Sequence, residues 1–225
     1  MKASPGARSW IAAGVRHELL TRALPALRHD MVAPVSVIRM ALLMLKRHLG
    51  ADPIDRSACE ERMGLVASQV AELVAGIRSL RDWELATPDD GIARGALAAQ
   101  CAALMRAAFD LHGVTLDVAE SLAVHEDEKR WPAAAALRYL FLGALGYLHD
   151  GVPEAGAIFI EADGEDGLRF SALPRESQAG NPVLDAHRAP RALAIDAVAL
   201  QSLADDLGYR IAVDRDSVRF SLEAG

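Results

Sequence analysis

Apolar residues recur through the first third of the chain at Leu24, Met31, Val35, Ile38, Leu42, Leu45 and Leu49. From Met31 onward they step by four and three in turn, the seam of a heptad repeat. Gly50-Ala51-Asp52-Pro53 stops this pattern. A second seam follows at Met63, Val66, Val70, Leu73, Ile77 and Leu80, on a helix expected from about Asp55 to Glu84. Two helices joined by a tight turn make an antiparallel hairpin, which buries only half a core. A second copy completes it as a four-helix bundle dimer. Upstream, residues 1–8 read as a fraying tail, and Ser9 is a candidate N-cap. Pro25 and Pro34 lie inside the helical pattern. Each lacks an N–H, so a break or kink is expected near Leu24 and a bend at Pro34.

Thr87-Pro-Asp-Asp-Gly91 reads as a linker. Beyond it, helices and strands alternate. Helices are expected at Ile92–Leu111, Pro132–His149 and Ile195–Leu207. Strands are expected at Val114–Val118, Ala157–Glu161, Leu168–Ala172, Arg210–Val213 and Val218–Leu222. Gly164–Gly167 turns one hairpin and Asp214–Asp216 another. The fold class is α+β: a helical hairpin over 1–86, then a two-layer α/β sandwich over 92–225.

Composition narrows the chemistry. The chain has 225 residues, is 52% hydrophobic but only 5% aromatic, and carries a net charge of −7. That charge argues against a general nucleic-acid binder. Cys59 and Cys101 have no metal spacing and read as reduced, packed thiols. No uninterrupted apolar run reaches the ~18 residues that span a bilayer, and no signal-peptide core is evident. A cytoplasmic location is expected. The histidines show no clustering with acids that suggests a metal, and no cofactor is expected. His125-Glu-Asp-Glu128 reads as a solvated acidic loop, and Trp10, Trp83 and Trp131 as packing anchors.

His29 falls at position b of the first heptad, outside the seam and facing water. One imidazole nitrogen can attack phosphorus while the other is held by a hydrogen bond. The stretch His29-Asp30-Met31-Val32-Ala33-Pro34-Val35 resembles the H-box of two-component histidine kinases. His17-Glu18 is a decoy: Arg22 stands where the box has proline, and the heptad places His17 in the seam.

The second half resembles the ATP-binding domain of the same kinases. Leu137–Leu148 is similar to its N-box helix, and Leu200–Leu222 to its last helix and hairpin. Three departures matter. The N-box helix has Gly143 and Tyr147 near the places where a kinase has its magnesium-holding asparagine. Residues 173–181 lack the Asp-x-Gly-x-Gly loop. Residues 186–193 lack glycine, and Asn181 is the chain's one asparagine. His187, Arg188 and Arg191 read as a solvated basic loop.

A scaffold with its histidine kept and its nucleotide site lost resembles the dimeric histidine phosphotransferases of bacterial phosphorelays. That resemblance implies His29 as phosphate carrier and Asp30 as the group that orients or deprotonates it. It also implies Val32, Ser36, Arg39 and Leu43 as contacts for response-regulator receiver domains, with Mg2+ supplied by the receiver. Two other classes stay open: a non-catalytic dimer that binds or sequesters a receiver or kinase, and an ATP-dependent kinase with a divergent nucleotide site.

Overall fold

The computed structural model of the chain describes residues 5–125, 127–175 and 193–225. It divides into two compact units, Leu24–Glu84 and the combination of Met1–Ala23 with Leu85–Gly225. The boundary differs from the expected division at 86–92, because the first helix contributes to both units.

That helix, α1, runs without interruption from Pro5 to Leu49, with Pro25 and Pro34 inside it. The expected break near Leu24 is absent. Each proline removes a single helical bond, to the carbonyl of Thr21 or Asp30, and the neighbouring turns keep theirs. α2 spans Arg56–Ser79, and a 3-10 turn over Leu80–Trp83 continues it. Asp55 caps α2 by accepting the Ala58 N–H at 2.9 Å. By length and composition alone, Arg56–Trp83 is apolar enough to cross a membrane. Its apolar residues fall on helical stripes broken by Glu60, Glu61, Glu72 and Arg78, the pattern of a bundle helix.

The α/β unit contains α3 (Arg94–Leu111), α4 (Ala134–Gly151) and α5 (Ala197–Leu207). Its five-stranded sheet has the order β2-β4-β5-β7-β6. The strands are β2 (Thr115–Val118), β4 (Ala155–Asp163), β5 (Gly167–Pro174), β6 (Tyr209–Val213) and β7 (Ser217–Ala224). β2 joins β4 in parallel, and the other pairs are antiparallel. A two-residue pair, β1 (Ile92–Ala93) with β3 (Arg130–Trp131), adds a small ribbon. Pro132 lies two residues before α4 rather than in its first turn.

α4 is the core of this unit, because its surroundings demand apolar residues on every side. Leu137, Leu140, Phe141, Leu142, Leu145 and Leu148 are each at most 1% exposed. Phe141 meets Phe170 of β5 edge-on at 4.8 Å, and Phe170 stacks on Phe220 of β7 at 5.8 Å. On α4's other side, a Cβ on Gly143 would come 2.9 Å from Leu200 and 3.0 Å from Leu203. A Cβ on Gly146 would come 2.9 Å from Ile195 and 3.6 Å from Leu19. α5 is capped by Asp196, which accepts the Ala199 N–H, and stopped by Gly208 at φ 79°.

The first five turns of α1 lie on this glycine-lined side. Ala12, Val15, Leu19 and Ala23 are buried, at helical spacings of three and four. Charges flank them. Arg16 pairs with Asp206, Ser9 donates to Asp206 at 3.2 Å, and Arg8 lies 3.8 Å from Asp205. Arg22 is the buried anchor, donating to Asp150 at 2.8 Å, Glu18 at 2.8 Å and the Leu193 carbonyl at 3.0 Å.

Candidate functional site

Within the hairpin, α1 turns Leu27, Met31, Pro34, Ile38, Ala41, Leu45 and His48 toward lower exposure, a face stepping by four and three. The facing positions on α2 include Cys59, Val66, Leu73 and Gly76. Within the single chain, α2 covers only half of the expected seam. Val35, Leu42 and Leu49 are exposed, and the adjacent Pro34, Ala41 and His48 are the positions turned toward α2. On α2, Met63, Val70 and Ile77 are exposed in the same way. On antiparallel neighbours both exposed tracks fall on one side of the hairpin, since each lies the same way round its helix from the shared contact.

His29 lies about 200° around the helix from Leu27, so it points away from α2. Its side chain is 80% exposed, and its Nδ1 lies 3.4 Å from Oδ1 of Asp30, itself 72% exposed. That contact is long for a hydrogen bond and biases a ring orientation in which Nε2 faces solvent. Val32 and Leu43 are 54% and 63% exposed, and Ser36 and Arg39 are exposed on the same outward surface. The Ser36 hydroxyl donates to the Val32 carbonyl at 3.3 Å.

The sequence reading did not identify a second apolar side. A groove of about 310 Å³ is lined by Ser36, Val37, Met40, Ala41, Met44, Arg62 and Leu65. Arg62 Nε is buried there without a hydrogen-bond partner. Methionines at two lining positions make this surface apolar and adaptable in shape. The clue in the sequence was present as Val37, Met40 and Met44, which step by three and four beside the main seam.

Of the positions compared with a kinase's nucleotide site, Gly143 and Tyr147 are among the described residues. Gly143 is closed in by Leu200, Leu203 and Leu19. Tyr147 donates its hydroxyl to the Asp214 carbonyl at 2.9 Å. Asn181, His187, Arg188 and Arg191 lie outside the described residues. Among those described, no group of three or more His, Cys, Asp or Glu side chains is placed to hold a metal. Glu128 accepts the Gly95 N–H at the start of α3 with both oxygens, at 3.0 and 3.1 Å. Cys59 and Cys101 are both buried thiols, and burial pushes Cys101 up to about 12, with Arg138 acting against it.

One polar cluster carries no sequence signal. His112 Nδ1 lies 3.0 Å from His149 Nε2, and His149 Nδ1 lies 3.0 Å from Asp150 Oδ1. Asp150 also accepts from Arg22 and from the Ile195 N–H at 3.0 Å. Burial raises the Asp150 carboxyl, but the bonds from His149, Arg22 and Ile195 outweigh it and hold its pKa at about 2. This cluster ties α1, α3 and α4 together and lies in the α/β unit, apart from His29 in sequence and in unit.

No family model and no curated protein matches the chain. Solved structures do. The cytoplasmic segment of histidine kinase QseC is 11% identical, with a TM-score of 0.37, covering 70% of this chain and 95% of that one. Acinetobacter baumannii histidine kinase AdeS is 9% identical, with a TM-score of 0.33, covering 87% and 98%. Full-length ShkA in complex with AMPPNP is 16% identical, with a TM-score of 0.35; it covers 99% of this chain, which spans 47% of ShkA. Any chemistry assigned to the chain rests on its own residues.

Proposed function

We propose that this chain is a histidine phosphotransferase that relays phosphoryl groups between receiver aspartates through His29. The observation that carries the reading is a histidine 80% exposed on the outward face of a bundle helix, with an acid beside its Nδ1. Nε2 of neutral His29 attacks the phosphorus of a receiver's aspartyl phosphate in line. The N–P bond forms as the P–O bond to aspartate breaks, and the carboxylate leaves with the electron pair. The proton on Nδ1 stays there, facing Asp30, which stabilises the charge that develops on the ring. A second receiver aspartate later takes the phosphoryl group by the reverse displacement. Mg2+ belongs to the receiver and offsets the charge on the phosphoryl oxygens.

Receivers dock along the outward face formed by Val32, Ser36, Arg39 and Leu43 and into the adjoining Met40–Met44 groove. The other side of the hairpin is the dimer face. Its exposed Val35, Leu42, Leu49, Met63, Val70 and Ile77 pack on the same residues of a second copy. Val70→Glu then places a charge in the bundle core twice, once per copy, at several kcal/mol for each ion. Sedimentation is expected to give wild type at twice the 24.0 kDa chain mass and the variant at the chain mass. Wild type at the chain mass contradicts the dimer.

The relay is tested by mixing the protein with receiver domains carrying labelled aspartyl phosphate. Label is expected to move to this chain and then to a fresh unlabelled receiver. Stable binding without transfer would make the protein a receiver-binding module instead. Label taken from Mg-ATP would make it a kinase.

A further inference from the structure

The groove beside the outward face of the hairpin is linear and carries its charge at one end. Val37, Met40, Ala41 and Met44 follow one another along one side of α1, a strip about 10 Å long at 1.5 Å per residue. Leu65 of α2 belongs to the same lining. Met31 Cγ lies 3.5 Å from where a Cβ on Gly76 would stand. Counting from that pair along two antiparallel helices brings Arg62 level with Leu45, so Arg62 stands at the Met44 end of the strip.

Arg62 is short of acceptors. Its Nε is buried without a hydrogen-bond partner. The acid beside it, Glu61, lies 3.6 Å from Nη2, beyond hydrogen-bond reach. Glu61 is 69% exposed, so water screens the pair, while 33% of the Arg62 side chain stays open to the surface. The Ser36 hydroxyl at the other end is already donated to the Val32 carbonyl at 3.3 Å. The rest of the lining is apolar.

These features select a ligand. Apolar walls favour a body without polar atoms, because a buried polar atom left unpaired is costly. The straight strip favours a linear body, and the two methionines adjust to its thickness. A single planar guanidinium fork matches one carboxylate through two parallel N–H bonds, whereas a phosphate carries more charge than this one cation offsets. We propose that the groove binds a medium-chain fatty acid, with its carboxylate on Arg62 and its chain along Met44, Met40 and Val37. The site overlaps the groove into which receivers are proposed to dock, so an occupied groove excludes them. Only that consequence rests on the relay; the binding itself is independent of what His29 does.

The test uses the full-length protein with isotope-labelled methionine methyl groups, sodium decanoate below its micellar concentration, and no receiver. The Met40 and Met44 methyl signals are expected to shift and saturate. Those of Met63, exposed elsewhere on the hairpin, and Met105, buried in α3, are expected to stay in place. Methyl decanoate, with the same chain and no charge, is expected to bind about ten-fold more weakly, the scale of a charged hydrogen bond. Arg62→Met is expected to erase that preference with the melting curve kept, and Arg62→Gln serves in its place should Arg62→Met fail to fold. Equal binding of acid and ester, or an acid preference that survives in the folded variant, overturns the site. Shifts that spread to Met63 overturn it as well, since they mark a detergent coating the apolar surface. Met40 and Met44 signals that move on diluting the protein but not with decanoate make the groove a contact between copies and also overturn it.

Discussion

Replacing Asp150 by alanine is expected to destabilise the α/β unit by about 3–5 kcal/mol, the cost of breaking a buried ion pair from one side. The Asp150 and Arg22 side chains are 5% and 9% exposed, so removing the carboxylate leaves a guanidinium in a place water scarcely reaches. Glu18 remains as a partner for Arg22, but His149 Nδ1 and the Ile195 N–H lose their acceptor. For a chain of this size the melting temperature should fall by roughly 2–4 °C per kcal/mol. Replacing both residues, as Arg22→Met with Asp150→Leu, is expected to recover much of the loss, because the uncompensated charge goes too. Acid should reproduce part of the effect. The folded pKa of about 2 lies below the usual 3.8, so this contribution is fully present above about pH 4. It is lost as pH falls toward 2, and amounts to about 2 kcal/mol. A Tm of Asp150→Ala within 2 °C of wild type contradicts this assignment.

His29→Ala is expected to abolish phosphoryl uptake and leave the fold unchanged. The side chain is 80% exposed, and among the described residues its polar contact is with Asp30 at 3.4 Å. Surface substitutions of this kind stay within about 0.5 kcal/mol, so the melting curve and the dimer should match wild type. No other side chain replaces an imidazole as the nucleophile, so the loss of transfer should be complete rather than graded. Asp30→Asn keeps the nucleophile and removes the charge beside Nδ1, and a partial loss of rate is expected. Full uptake by His29→Ala would move the carrier elsewhere. An equal loss of thermal stability would make His29 a packing residue.

The elements with strong periodicity were legible in the sequence. The hairpin helices declared themselves by their steps of three and four, and Gly208 and the Gly164–Gly167 turn by glycine at positive or crowded backbone. The choice between neighbouring heptad tracks was not legible. Val35, Leu42 and Leu49 and their neighbours Pro34, Ala41 and His48 repeat with the same spacing. Only the partner helix decides which is covered, and the larger apolar residues are the ones left for a second contact. The proline signals pointed to a break near Leu24 that α1 does not show, because a helix loses one bond to each proline and the neighbouring turns keep theirs. The attachment of residues 1–23 to the α/β unit depends on contacts such as Arg16 with Asp206, 190 residues apart. No window of local sequence contains both partners. The same holds for His112 and His149, and for the two-residue strands β1 and β3, which are too short to show a period. His29 and Asp30 were legible as chemistry because their neighbours in sequence are also their neighbours on the helix.

The most direct measurement is to locate the phosphoryl group itself. The protein is exposed to receivers charged with aspartyl phosphate, and the modified residue is mapped by mass spectrometry under conditions that spare acid-labile phosphohistidine. The phosphoryl group is expected on His29, with none on His17 and no modification when Mg-ATP is the donor. Phosphate on His17, modification by Mg-ATP, or no phosphohistidine from any receiver tested would contradict it.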